Sequence, residues 1–154
     1  MVAVSIDGLT KTFGRKRALD GVSVEIPEGE MVALIGASGL SKSTLIRHIA
    51  GLERGDAGRI VIEGAEIQSG GRLSANARNM RRSIGVIFQQ FNLVSRLPIL
   101  TNVLIGFLGQ IGRARGTFGF FSKDEKLTAM RALHRVGISE QARQRASTLS
   151  GGQQ

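Results

Sequence analysis

Cysteine, tryptophan and tyrosine are absent from this 154-residue chain, and proline occurs only twice. Without cysteine there is neither a disulfide framework nor a thiolate metal site, which fits a reducing cytosol. Phenylalanine is the sole aromatic, at seven positions, so the interleaved rings that stack single-stranded bases are thin. No apolar run approaches the length of a membrane span, and the opening residues MVAVS lack the basic and apolar regions of a signal peptide. These features point to a soluble or peripheral protein. Acids are scarce in one place: none lies between Glu66 and Asp124, a window holding Arg72, Arg78, Arg81, Arg82, Arg96, Arg113, Arg115 and Lys123. That one-signed stretch, within a chain of net charge +9, suits a nucleic acid, anionic lipid headgroups, an acidic partner surface or simply a solvated basic face.

What is present is enough apolar content, 42%, to build a core of about one domain. Residues 2–6 and 19–26 read as strands, with Val22, Val24 and Ile26 alternating before a turn at Pro27, Glu28, Gly29 and Glu30. The run Met31, Val32, Ala33, Leu34, Ile35 predicts a buried parallel strand. Residues 58–67 predict a hairpin turning over Glu63, Gly64, Ala65 and Glu66, so Glu63 is not a strand-end catalytic acid. A polar connection over 69–79, a short basic helix at 80–82 and an apolar strand at 84–88 follow. From Thr101 a helical pattern carries Val103, Leu104, Phe107 and Leu108, then residues 109–119 break into a glycine- and arginine-rich loop tipped by Phe118, Phe120 and Phe121. Ser122 and Glu125 form a capping box for a helix with Leu127, Met130, Leu133 and Val136 as its stripe, stopped by Gly137. His48 and His134 lie on helices without second ligands nearby, which favours packing or surface roles over metal binding.

The sharpest chemical signal is Gly36, Ala37, Ser38, Gly39, Leu40, Ser41, Lys42, Ser43 and Thr44, set between the apolar run 31–35 and a helical pattern of Leu45, Ile46, Ile49 and Leu52. Strand, glycine loop and helix is the order a phosphate cradle requires. Successive backbone N–H groups and the helix N-terminus receive anionic oxygens, Lys42 reaches the β- and γ-phosphates, and Ser43 offers a hydroxyl to Mg²⁺. Ser41 stands where glycine normally keeps a Cβ out of the phosphate path, and is expected to weaken binding.

Three further stretches, FQQFNL at 88–93, residues 97–103 and LSGGQ at 149–153, together with the glycine loop resemble the ATP-binding subunits of ABC transporters over the whole chain. The fuller wording is most similar to the ATPases of phosphonate importers. That resemblance implies an incomplete α/β P-loop nucleotide-binding domain with an N-terminal antiparallel β layer, a core unit over 1–90 and the start of a helical subdomain over 91–154. It implies ATP and Mg²⁺ as cofactors, with Phe13 stacking on adenine, although phenylalanine replaces the commoner tyrosine. Gln89 is implied to approach Mg²⁺ and the attacking water, and Ser150, Gly151, Gly152 and Gln153 to bind the ATP held by a second ATPase subunit in a head-to-tail dimer. The other implied partners are membrane permease subunits and an extracytoplasmic substrate-binding protein, at the cytoplasmic face of the inner membrane, with phosphonate-type anions as cargo. In that family the Mg²⁺-binding aspartate, catalytic glutamate and switch histidine follow the signature, so the 154 residues are expected to be a fragment that binds nucleotide without hydrolysing it. The basic window keeps open a nucleic-acid-associated ATPase of the same superfamily, and Ser41 with the end at Gln154 keeps open an inactive truncated product. The segment 89–121 is expected to dock on the membrane subunit.

Overall fold

The computed structural model describes residues 1–36, 41–88 and 92–153. It divides into two compact units, Met1–Val86 and Ile87–Gln154.

The first unit is built on a five-stranded antiparallel sheet. Strands β1 (Val2–Phe13), β2 (Lys16–Pro27), β3 (Ala57–Ile62), β4 (Ala65–Ser69) and β5 (Arg72–Leu73) lie in the order β2-β1-β3-β4-β5. Alternation in the strands, reset in β1 by an irregularity between Ile6 and Leu9, sends Ile6, Leu9, Leu19, Ile60 and Ile67 to one face, where they form the core with Leu45 and Ala77. Leu45 comes from helix α1 (Ser41–Ile49), and Ala77 from the short helix α2 (Ala77–Met80). The β3–β4 turn is the expected one: Glu63 and Gly64 both take positive φ, 49° and 77°, as a tight hairpin demands. Gly58 has a different reason. A Cβ there would meet the Gly8 carbonyl oxygen and the Leu9 Cα at 2.5 Å, so the close approach of β3 to β1 excludes any side chain.

A buried polar side chain, Gln68 of β4, ties α1 to the sheet. Gln68 accepts from the Gly55 amide at 2.7 Å and donates to the His48 carbonyl at 3.4 Å. His48 is fully buried, with Nδ1 2.7 Å from the Thr44 carbonyl. A carbonyl can only accept, which places the imidazole proton on Nδ1. His48 is a packing residue; His134 is exposed.

The second unit contains helices α3 (Ile99–Ile105), α4 (Arg113–Phe118) and α5 (Lys123–Arg135), with 3₁₀ turns at Gly106–Gly109, Ser139–Gln141 and Ala146–Thr148. Ile99, Leu133, Ala142 and Leu149 make its core. The segment before Leu149 is fastened to the start of α3 by Ile99 N to Gln144 O at 2.9 Å, Leu100 N to Ala142 O at 2.9 Å and Ala146 N to Leu97 O at 3.0 Å. The capping box forms as the sequence predicts: Glu125 N donates to Ser122 Oγ at 3.1 Å and Ser122 N donates to Glu125 Oε2 at 2.6 Å. Ser122→Ala is expected to cost about 1 kcal/mol of α5 stability, read as a lower thermal midpoint. The Ser122 amide and the Arg115 guanidinium, 2.8 Å from Glu125 Oε2, hold the Glu125 carboxyl below its ordinary 4.5. This contribution is present above pH 4.5 and is lost as pH falls through the depressed value.

Five sequence expectations are corrected. Residues 31–35 form no strand and are exposed, Met31 and Ile35 almost completely. Residues 84–88 likewise join no sheet; Ile84 packs against the first core while Ile87 is fully exposed. An apolar run becomes a buried strand only where flanking strands take up its backbone groups, and among the described residues no strand pairs with either segment. Residues 113–118 of the expected glycine–arginine loop are helical, closed by Gly119 at φ 67°. Gly116 permits this, because its face lies 3.3 Å from Leu108 Cδ2 at the position a Cβ would take. The basic helix sits at Ala77–Met80 rather than 80–82. The stripes are also narrower than predicted: Ile46, Leu52, Leu108, Leu127 and Val136 are exposed.

Candidate nucleotide-binding site

Helix α1 opens at Ser41, immediately after the glycine loop, and has no acid in its first turn and Arg47 and His48 in its last. Its N-terminal end therefore carries the positive end of the helix dipole, which suits an anion. Lys42 Nζ donates to the Gly36 carbonyl at 2.8 Å, bringing the ammonium back to the residue where the loop begins. Ser41 and Ser43 are exposed, and Thr44 is buried, its carbonyl against His48. The four residues Ala37, Ser38, Gly39 and Leu40 lie outside the described residues. An ammonium, exposed hydroxyls and an acid-free helix start fit a polyphosphate with its divalent cation.

Phe13 ends β1, paired with Lys16 across the hairpin, and the residue is 37% exposed. Lys11 Nζ lies over that ring, 5.2 Å from its centroid. The ammonium is itself held by the Arg54 carbonyl at 2.9 Å and by Asp56 Oδ1 at 3.2 Å, while Asp56 Oδ2 accepts from the Thr12 amide at 2.7 Å. The Thr12 amide and then Lys11 hold the Asp56 carboxyl below its ordinary 3.8. Lys11 and Asp56 were not picked out by the sequence reading. The available signal was the i, i+2 spacing of Lys11 and Phe13, which puts both on one strand face.

In the second unit the signature folds as a turn, with Gln153 N donating to Ser150 O at 2.9 Å. The Ser150 amide and hydroxyl both donate to Gln153 Oε1 at 3.1 Å. Leu149 anchors the turn in the core, and Gly151 and Gly152 are exposed with open space where a Cβ would stand. Gln89, expected beside the metal, lies outside the described residues. Among the described residues no group of three or more His, Cys, Asp or Glu side chains is placed to hold a metal ion.

A lysine-bearing glycine loop at a helix start, an aromatic at the end of an antiparallel hairpin and an LSGGQ turn define an ATP-binding cassette. Residues 19–154 match the family model described as ABC transporter, and the chain belongs to that family. It is 57% identical over 154 residues to phosphonates import ATP-binding protein PhnC 1 of Pseudomonas aeruginosa (strain UCBPP-PA14), covering 98% of this chain and 55% of that protein. Phosphonates import ATP-binding protein PhnC of Stutzerimonas stutzeri is similarly 57% identical, over 99% of this chain and 56% of the relative. The chain thus spans just over half the length of these relatives. Among solved structures, a dimeric post-hydrolysis state of the ATP-binding cassette MJ0796 bound to ADP and Pi superposes with a TM-score of 0.79 at 30% identity, covering 97% of this chain and 64% of that one. A nucleotide-free ATP-binding cassette from an ABC transporter gives 0.76 at 28% identity, covering 99% and 61%. The cassette fold expected from the sequence is therefore present in part, as an antiparallel sheet with its helices.

Proposed function

We propose that the chain binds MgATP as part of the energy-coupling ATPase of an ABC importer for phosphonate-type anions. The observation that carries this is the Lys42 ammonium folded back on Gly36 at the acid-free start of α1, where a triphosphate would replace the carbonyl as its partner. In this reading the residues 36–44 wrap the phosphates, Lys42 bridges the β- and γ-phosphates, Ser43 holds Mg²⁺, which neutralises phosphate charge when bound, and Phe13 stacks on adenine. Gln89 approaches the water and metal, and Ser150 to Gln153 serve a second subunit's ATP. The dimeric relative bound to ADP and Pi supports the head-to-tail partner, and the phosphonate importers' ATPases support the cargo class.

The membrane permease is the proposed docking partner of the second unit, at the cytoplasmic face of the inner membrane, with an extracytoplasmic binding protein delivering the cargo. Phe118 and Phe120 are 73% and 66% exposed, with ring centroids 6.1 Å apart. Arg115 beside them is already paired with Glu125. An exposed aromatic pair next to a neutralised arginine suits a protein surface better than a phosphate backbone, which would need its cations unpaired.

Ser41→Gly tests the loop directly. If the serine Cβ crowds the path of the phosphate, the glycine variant binds MgATP more tightly by about 1 to 3 kcal/mol, roughly five- to 150-fold, in calorimetric titration. Equal dissociation constants would remove Ser41 from the account.

A further inference from the structure

We propose that Lys11 is a positioning residue for the purine, presenting one face of Phe13 to the base. This rests on the reading of Phe13 as the adenine platform. Three features of the hairpin support the step beyond it. The first is that the Lys11 side chain is only 14% exposed although it carries a full charge on a surface hairpin, so its position is built. The ammonium meets the Arg54 carbonyl and Asp56 Oδ1, and Asp56 is in turn fixed by the Thr12 amide and by its own amide, which donates to the Thr10 carbonyl at 2.8 Å. The second is that this fixed cation lies over the Phe13 ring, covering one face and leaving the opposite face as the one a planar ligand can use. The third is the residue type. Phenylalanine has no hydroxyl with which to tether its ring, so the orientation that a tyrosine could secure by a hydrogen bond falls here to the cation above it.

The chemistry favours a purine on the free face. A cation on one side of the ring draws π density toward itself and lowers the repulsion that an electron-rich purine meets on the other side. Arg15, Lys16 and Arg17, which follow in the turn and the first residues of β2, are exposed, and Arg17 pairs with Asp20 at 2.9 Å. Lys11 differs from them in being held against the ring from the protein side.

The test separates the base from the phosphates. The 154-residue chain is titrated with MgATP and with magnesium tripolyphosphate, which lacks the base, in the unsubstituted form and as Lys11→Met, Lys11→Arg, Phe13→Ala and Lys11→Met/Phe13→Ala. Lys11→Met is expected to weaken ATP binding about two- to five-fold while leaving tripolyphosphate unchanged. Lys11→Arg, which keeps a cation over the ring, should recover most of the loss. In the Phe13→Ala background Lys11→Met should have no further effect, because the cation then has no ring to position. If Lys11→Met weakens ATP and tripolyphosphate together, or adds its full effect to Phe13→Ala, the residue acts through the fold or through phosphate and the proposal is overturned. If Phe13→Ala lowers ATP affinity selectively and Lys11→Met does not, the proposal fails while the platform reading stands. If Phe13→Ala spares ATP, or the unsubstituted chain binds none, the platform reading fails and takes the proposal with it.

Discussion

Backbone amides of residues 31–35 and 84–88 should exchange with solvent roughly three orders of magnitude faster than those around Leu9, Ile60 and Ile67. Both segments are apolar, and sequence alone would bury them, yet neither joins the sheet. Met31, Ile35 and Ile87 stand almost wholly in solvent. By contrast Leu9, Ile60 and Ile67 are completely buried and sit in paired strands. An amide in a paired, covered strand opens only when much of the unit opens, whereas one in an unpaired exposed segment needs no such event. Hydrogen exchange on the chain distinguishes the two classes within one experiment. Comparable protection in all of them would mean that residues 31–35 and 84–88 find partners in solution and that the unit closes its core differently.

Lys42→Ala carries the second large effect. The ammonium is the one full positive charge at the start of α1 that the loop folds back toward its own beginning. Removing a hydrogen-bonded charge from a charged ligand typically costs about 2 to 5 kcal/mol, so MgATP affinity should fall at least ~30-fold. The fold should change little, since the bond to Gly36 is exposed and exposed bonds of this kind contribute about 1 kcal/mol or less. Lys42→Arg should not rescue, because a planar guanidinium does not replace a compact ammonium reaching between two phosphates. A large drop in affinity with an unchanged thermal midpoint is the expected pair of readings. A drop in both would assign Lys42 to stability.

How far these features could be read beforehand follows from their range in the chain. The β3–β4 hairpin, the β2 alternation and the Ser122–Glu125 cap depend on neighbours within a few residues, and each appears as expected. Of the strand–loop–helix order expected around the glycine loop, only the helix, α1 from Ser41, is seen among the described residues. Residues 31–35 and 84–88 were misread because their burial depends on strands that must arrive from elsewhere, which apolar composition cannot report. Residues 113–118 were misread because glycine and arginine suggested a loop, while a close contact of Gly116 with Leu108 favours a turn of helix. The Lys11–Asp56 clamp spans 45 residues, and only the i, i+2 spacing to Phe13 hinted at it.

Calorimetric titration of the 154-residue chain with MgATP tests the central claim most directly. Saturable one-to-one binding that tripolyphosphate competes away and Lys42→Ala abolishes is the predicted result. No binding up to millimolar nucleotide, or binding that Lys42→Ala leaves intact, would contradict it.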